Sequence, residues 1–136
     1  MAQMSNRMKE LFNEVPAAVL ATSTPDGQPN AVPVGAKQIL DDETILISDQ
    51  FFNKTLANMQ QNPSVAVSFW KEKEGYQFKG TATIETSGER YEQAAQWVAE
   101  KGKKQGVTLQ SKGVAIIHIE AIYGLAPGPG AGKKLA

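Results

Sequence analysis

The sequence contains no cysteine and only one histidine, His118, among its 136 residues. Without cysteine the chain can form no disulfide, no Cys-ligated zinc or iron–sulfur cluster and no thiol nucleophile. One histidine cannot supply a multi-histidine metal site, and a Ser-His-Asp triad would have to use His118 itself. These two absences exclude thiol-based catalysis and a multi-histidine metal centre within one chain.

The sequence also lacks an excess of charge of either sign. Lys and Arg together number 14, and so do Asp and Glu, which gives a formal net charge of 0. Binders of nucleic acid or anionic membranes normally carry a basic excess, so we expect neither partner. No apolar run approaches the ~18 residues of a membrane span. The N-terminal residues 1–12 have no apolar signal-peptide core, and we expect a soluble cytoplasmic protein.

The length and the 41% hydrophobic content are those of one globular domain. We expect this domain at residues 1–125, followed by a Gly- and Pro-rich tail at 126–136. Alternating apolar residues between turn signals predict six strands, at 17–24, 30–40, 44–48, 64–70, 76–86 and 114–123. Helical spacing predicts three helices: 5–15 capped by Ser5, 54–61 capped by Asn53, and one behind the capping-box sequence 86–89.

The connections between the predicted strands favour a barrel. Short turns such as Pro25-Asp26-Gly27 join successive strands, which implies antiparallel pairing. Six antiparallel strands around one core favour a small closed barrel, because closure removes exposed edges. Pro33 cannot donate a hydrogen bond to a neighbouring strand, so we expect its strand at an edge or at a bulge. The predicted class is mainly β with flanking α-helices.

The start of the second predicted helix is the most informative segment for function. Lys54 and Thr55 stand in its first turn, where free backbone N–H groups carry partial positive charge. An ammonium and a hydroxyl there complete a site for a phosphate monoester. Ordinary capping beside a solvated lysine explains the same residues. A second candidate is the strand 30–37, where Gly35 would let a flat ligand approach the backbone; an irregular edge strand is the alternative.

Several segments in order resemble the FMN-binding split-barrel proteins related to pyridoxamine 5′-phosphate oxidase. The segments are DGQPN at 26–30, VGA at 34–36, LDDET at 40–44, KTLAN at 54–58, NPSVAV at 62–67 and GYQFKGTA at 75–82. The resemblance covers roughly residues 8–125. It implies a six-stranded split β-barrel that pairs as a homodimer, with FMN held in two equivalent clefts at the subunit interface.

The resemblance also assigns residues to the parts of FMN by position. For the phosphate it implies Lys54 and Thr55, with Asn58 as a weaker candidate; for the isoalloxazine ring Val34, Gly35, Ala36 and Lys37; for the ribityl chain and phosphate Ile47, Ser48 and Asp49; and from the second subunit Trp70, Tyr76 and Gln77. No protein residue is assigned to catalysis, because the flavin itself carries the reaction.

Several functions remain open at the level of sequence. The first is an oxidoreductase that passes a hydride or electrons through FMN between a small-molecule donor and an acceptor. The others are a non-catalytic flavoprotein for electron transfer or redox sensing, and a split barrel that uses a deazaflavin or heme, for which His118 is the candidate ligand. Because Arg7 and Arg90 are the only arginines, a phosphate-bearing substrate beside the FMN phosphate would lack cations, and we expect an activity other than pyridoxamine phosphate oxidation.

Overall fold

The computed structural model describes residues 2–49 and 52–136. Within these residues the chain forms seven strands and three helices. In chain order they are α1 (Asn6–Glu14), β1 (Ala18–Ser23), β2 (Pro29–Val34), β3 (Lys37–Asp41), β4 (Thr44–Asp49), α2 (Lys54–Gln61), β5 (Ser64–Lys71), β6 (Glu74–Glu85), α3 (Glu89–Lys104) and β7 (Gly113–Gly124). None of the described helices is long and apolar enough to cross a membrane.

All neighbouring strands pair antiparallel, in the order β2-β1-β5-β6-β7-β4-β3. Strands β2 and β3 are therefore the two edges of the sheet, although only Gly35 and Ala36 separate them in the chain. A connection of this length spans at most about 11 Å. The sheet must curl until its two edges meet, which gives a barrel that is split between β2 and β3.

This arrangement confirms the predicted mainly β, antiparallel split-barrel class and changes its strand count. The predicted single strand 30–40 is divided at Gly35-Ala36 into β2 and β3, so the described residues contain seven strands rather than six. The division occurs where the chain leaves one sheet edge and enters the other. Pro33 lies on the edge strand β2, opposite Val19 of β1 only, as its missing N–H donor requires.

The barrel interior is filled by three aromatic rings and the aliphatic side chains around them. Phe12 of α1 contacts Phe69 edge-on, with ring centroids 5.3 Å apart, and Phe69 contacts Phe78 at 4.9 Å. Helix α1 thus inserts its apolar face, which includes the fully buried Leu11, into the barrel. Its start is capped as predicted, since the Ser5 hydroxyl accepts a hydrogen bond from the Met8 N–H at 3.2 Å.

Helix α3 covers a second, smaller apolar cluster on the outside of the barrel. This cluster contains Leu46 of β4, Ala94 of α3, and Val114 and Ile116 of β7. The predicted capping box at 86–89 is wrong: Gly88 is the N-cap residue, at φ 96°, and no side chain caps the helix. Asn53 is the N-cap residue of α2, as predicted, but its side chain makes no capping hydrogen bond.

The C-terminal residues turn back onto the end of β7. The Leu135 N–H donates to the Ile122 carbonyl at 2.7 Å, and the Gly124 N–H donates to the Lys133 carbonyl at 2.9 Å. The tail therefore lies beside the open end of the β6–β7 pair, where it and residues 73–76 line a common depression.

Gly80 stands at an irregularity in the β6–β7 pairing, and a side chain there would collide with backbone. A Cβ atom at this position would lie 2.1 Å from the His118 carbonyl oxygen. We predict that Gly80→Ala lowers the free energy of unfolding by about 3 kcal/mol or prevents folding. Gly130→Ala, where nothing lies within 4 Å of the added atom, is the control and should be neutral. Urea denaturation of both variants measures this, and equal stability would contradict the close approach.

Candidate functional site

A cleft of about 280 Å³ opens where the barrel is split. Its walls come from the end of β2, the two-residue connection to β3, the end of β4 and the residue group before α2. The lining residues are Val32, Pro33, Val34, Gly35, Ala36, Ser48 and Phe52. The cleft thus combines apolar side chains with a stretch of backbone and one hydroxyl.

Residues 34–36 form a wall of backbone in the cleft, and hydrogen bonds hold this wall from the side that faces away from the cleft. The Ala36 carbonyl accepts the Ser48 N–H at 2.9 Å, which ties the connection to β4. The Gly35 carbonyl accepts the Lys101 ammonium of α3 at 3.0 Å. A Cβ atom on Gly35 would lie 3.3 Å from the Pro16 carbonyl, so the glycine also permits the close approach of that segment. Because both carbonyls are engaged, the wall is fixed in place before a ligand arrives.

Lys37, the next residue after this wall, directs its charge away from the cleft. Its ammonium donates to the Phe12 carbonyl near the end of α1 and lies 4.7 Å from the centre of the Phe12 ring. Burial, and to a smaller extent the charge of the nearby Lys101, lowers the pKa of Lys37 from its ordinary 10.5 to about 8. The Lys37 ammonium therefore stabilises the end of α1, and the backbone of Lys37 begins β3.

A buried network of amides and hydroxyls fixes the start of α2 against the barrel. The Asn30 amide donates to Thr22 Oγ1 at 3.2 Å and to Thr55 Oγ1 at 2.9 Å. The Asn58 amide donates to Thr22 Oγ1 at 3.0 Å. Thr22, Thr55 and Asn58 are all buried, so these bonds replace water for each group.

The same network places the first turn of α2 at one end of the cleft. Asn30 and Val32 point to the same side of β2, two residues or about 6.7 Å apart. Thr55 contacts the first of them, and Val32 lines the cleft. Lys54, beside Thr55, is exposed, and within residues 2–49 and 52–136 no hydrogen bond or ion pair engages its ammonium. Lys54 and the first N–H groups of α2, which have no partner within the helix, therefore lie close to the Val32 end of the cleft.

The end of β4 closes the cleft from the opposite side. The buried Asp49 carboxylate accepts the Phe52 N–H at 2.9 Å and so holds the residues before α2. The Ser48 hydroxyl is 2.7 Å from the Ser111 hydroxyl, which donates to the Gly113 carbonyl at 2.9 Å. Ile47 is fully buried in the barrel core. Of these three predicted contacts with the ribityl chain, only Ser48 lines the cleft.

The three residues expected from a second subunit lie on two different faces of the sheet. Tyr76 packs against Phe69 on the inner face, with ring centroids 5.8 Å apart, and donates its hydroxyl to Glu74 at 2.9 Å. Trp70 and Gln77 lie on the outer face, and the Trp70 side chain is 54% exposed. None of the three lines the cleft of its own protomer among the described residues.

The structure thus brings one part of the predicted set together and separates the rest. Val34, Gly35, Ala36 and Ser48 line the cleft, and Lys54, Thr55 and Asn58 lie at its α2 end. Val32 and Phe52, which lie in the candidate segments without an assigned role, and Thr22 and Ser111, which the sequence did not single out, complete the site. A buried threonine on a short strand carries no sequence signal that distinguishes it from a packing residue, and Ser111 lies in an irregular segment.

Comparison with known proteins agrees with this fold. The family model described as pyridoxamine 5′-phosphate oxidase matches residues 4–126, and the chain belongs to that family. The uncharacterized protein MJ0282 of Methanocaldococcus jannaschii is 41% identical over 132 residues, which are 95% of this chain and 85% of that protein.

Solved structures share the architecture. HupZ of Group A Streptococcus superposes with a TM-score of 0.80 at 34% identity, covering 95% of this chain and 99% of that one. An FMN-binding protein of Syntrophomonas wolfei has the same fold, with a TM-score of 0.75, 16% identity and coverage of 88% and 84%.

The buried ammonium of Lys37 predicts a defined pH dependence of stability. The folded protein releases this proton near pH 8 and the unfolded chain near 10.5, so between these values the unfolded state binds more protons. The contribution of Lys37 to stability therefore rises as the pH rises through this window. We predict that the difference in unfolding free energy between wild type and Lys37→Met shifts in favour of wild type from pH 8 to pH 10.5. Urea denaturation of the cofactor-free proteins measures it, and a constant difference would contradict the burial of the charge.

Proposed function

We propose that this protein binds FMN in the cleft at the barrel split and passes a hydride or electrons through it between a small-molecule donor and an acceptor. The observation that carries the proposal is the position of the α2 start. A helix N-terminus with a free, exposed lysine lies at the end of a cleft whose other walls are bare backbone and apolar side chains. FMN matches this cleft, because it carries an anionic phosphate at one end and a flat apolar ring at the other.

The proposal that the FMN phosphate binds at the start of α2 rests on the charge and the hydrogen-bond donors there. Lys54 supplies a cation, and the first N–H groups of α2 have no partner within the helix. Thr55 Oγ1 accepts from Asn30, and within the part of the chain that the structure describes no acceptor takes its hydrogen, so this hydrogen can be donated to an anion. Because the Thr22–Asn30–Asn58 bonds fix the helix, these donors are oriented before the ligand binds.

The proposal that the flavin ring lies against residues 34–36 rests on the shape of the cleft. Residues 34–36 present backbone to the cleft, and Val32 and Phe52 offer apolar contact to a flat ligand. When bound, FMN supplies the hydride and single-electron chemistry. The residues of this chain orient it and exclude water. The lining side chains among the described residues include no sulfur, imidazole or phenol group that could ligate heme iron, and this favours a flavin over heme in this cleft.

Both arginines lie in surface ion pairs. The Arg7 guanidinium bonds Glu74 at 2.9 Å, and the Arg90 guanidinium bonds Glu85 at 3.2 Å. Neither residue lines the cleft. A second phosphate beside that of FMN would therefore have no arginine to bind it, so we propose a substrate other than pyridoxamine 5′-phosphate.

The proposal includes a homodimer with the flavin between the subunits. At about 280 Å³ the cleft of one protomer lies at the small end of the ~300–1,000 Å³ typical of a pocket for a ligand of drug size, and it opens at the protein surface. A second wall would cover more of the ring, and an isologous second copy supplies it to both sites at once.

One face of the barrel suits this second copy. Leu20, Val67 and Phe78 point into the core, so the alternate residues of the same strands point outward. Two rows cross this outer face in register: Pro33, Val19, Ser68 and Gln77, and Ala31, Ala21, Ala66 and Lys79. The side chains are mostly small and uncharged. Helices α1 and α2 bury their apolar residues in the barrel core, where α2 also bonds β1 and β2 from within, and α3 packs on β4 and β7. Among the described elements no helix therefore covers the two rows.

The phosphate assignment predicts a difference between two flavins. We expect Lys54→Ala to weaken FMN binding by roughly 1.5–3 kcal/mol, as for the loss of a charge-assisted hydrogen bond. Binding of riboflavin, which has no phosphate, should be unchanged. Lys103→Ala, an exposed lysine at the end of α3, is the matched control. Fluorescence titration measures both ligands, and an equal loss for FMN and riboflavin would place the phosphate elsewhere.

The oxidoreductase assignment predicts turnover. The FMN-loaded protein should lose its visible flavin absorbance on addition of NADH or NADPH and regain it with an added electron acceptor. Repeated cycles that consume nicotinamide in proportion to acceptor would support the enzyme. A protein that dithionite reduces reversibly, but that no nicotinamide reduces, would instead be an electron-transfer or sensing flavoprotein.

A further inference from the structure

Two serine hydroxyls form a buried pair behind the cleft. Ser48 is the next-to-last residue of β4 and lines the cleft, whereas Ser111 lies in the segment between α3 and β7. Their Oγ atoms are 2.7 Å apart, and both residues are only 4% exposed. Ser111 Oγ also lies 2.9 Å from the Gly113 carbonyl oxygen. The pair therefore connects the cleft to a backbone group that is out of contact with solvent.

The direction of these two hydrogen bonds follows from the groups involved. A carbonyl oxygen can only accept, so the single hydroxyl hydrogen of Ser111 points to Gly113. Ser111 Oγ must then accept the hydrogen of Ser48. Ser48 has no hydrogen left for a ligand, and its remaining lone pair can only accept a hydrogen bond.

We propose that Ser111 is a positioning residue that makes Ser48 an acceptor-only contact of the cleft, and that Ser48 binds a hydroxyl of the FMN ribityl chain and not the phosphate. This inference rests on the proposed function. A phosphate dianion presents acceptors only, which an acceptor-only serine repels, whereas a ribityl hydroxyl can donate. Ser48 and Thr55 then have opposite polarity, because Thr55 Oγ1 accepts from Asn30 and its hydrogen has no acceptor among residues 2–49 and 52–136. The two hydroxyls orient the ligand along the cleft, with its phosphate toward α2.

A neighbouring bond offers a control that leaves the hydroxyl pair intact. The Tyr91 hydroxyl donates to the Ser111 carbonyl at 3.1 Å and so holds the same segment. Tyr91→Phe removes this bond without touching either serine hydroxyl. A purely structural role of the segment would make Tyr91→Phe and Ser111→Ala similar in their effect on ligand binding.

The test is a double-mutant cycle with two ligands. Ser48→Ala and Ser111→Ala should each weaken binding of FMN and of riboflavin by the same factor, about 3- to 10-fold, as for one neutral hydrogen bond. The double variant should lose no more than either single variant, because the two serines act as one unit. Tyr91→Phe should change either affinity by less than about twofold. Thermal unfolding of each variant checks that the fold is kept, and Ser48→Ala tests the contact even if Ser111→Ala is unstable.

The outcomes separate this inference from the proposed function. A loss for FMN alone would place Ser48 at the phosphate and overturn the inference, as would unchanged affinity in Ser48→Ala or additive losses in the double variant. If the wild-type protein bound neither flavin, the proposed function itself would be wrong.

Discussion

The structure depends on one short covalent constraint. Gly35 and Ala36 join β2 to β3, although these strands are the opposite edges of a seven-stranded order within the described chain. Because two residues cannot span a flat sheet of seven strands, the connection forces the sheet to close on itself. The closure brings the ends of β2 and β4 together and leaves bare backbone between them. The short Gly35–Ala36 connection thus produces both the barrel and the cleft.

Several polar groups around the cleft are held in place by hydrogen bonds to other parts of the protein. Asn30 and Asn58 bind Thr22 and so fix α2, and Lys101 and Ser48 bind the carbonyls of the Gly35–Ala36 connection. Such groups need no reorganisation when a ligand enters, which favours affinity. The buried ammonium of Lys37 donates to the Phe12 carbonyl and so stabilises the end of α1 rather than a ligand. Lys54, in the first turn of α2, remains as an exposed cation at that end of the cleft.

The sequence was sufficient for the elements whose signals are local. The alternation in β5 and β6 and the breaker Pro63 after α2 predict these elements to within two residues. The division of the strand 30–40 was missed because the pattern of apolar residues continues through Gly35, and only the three-dimensional closure shows that the chain changes edges there. The sequence located the N-cap residue of α2 at Asn53 but did not show that its side chain makes no capping bond, and the capping box predicted at 86–89 does not form. A capping side chain bonds its helix only if it turns back, which tertiary contacts decide.

The candidate site was predictable where it coincides with a backbone feature, at Gly35 and at Lys54. It was not predictable at Thr22 and Ser111, whose roles come from partners 36 and 63 residues distant in sequence. The most direct test of the account is a crystal structure of the protein grown with FMN. It should show the phosphate at the first turn of α2, the ring against residues 34–36, and a second protomer covering the ring. Flavin density at any other place on the barrel, or a ring open to solvent in a lone protomer, would contradict it.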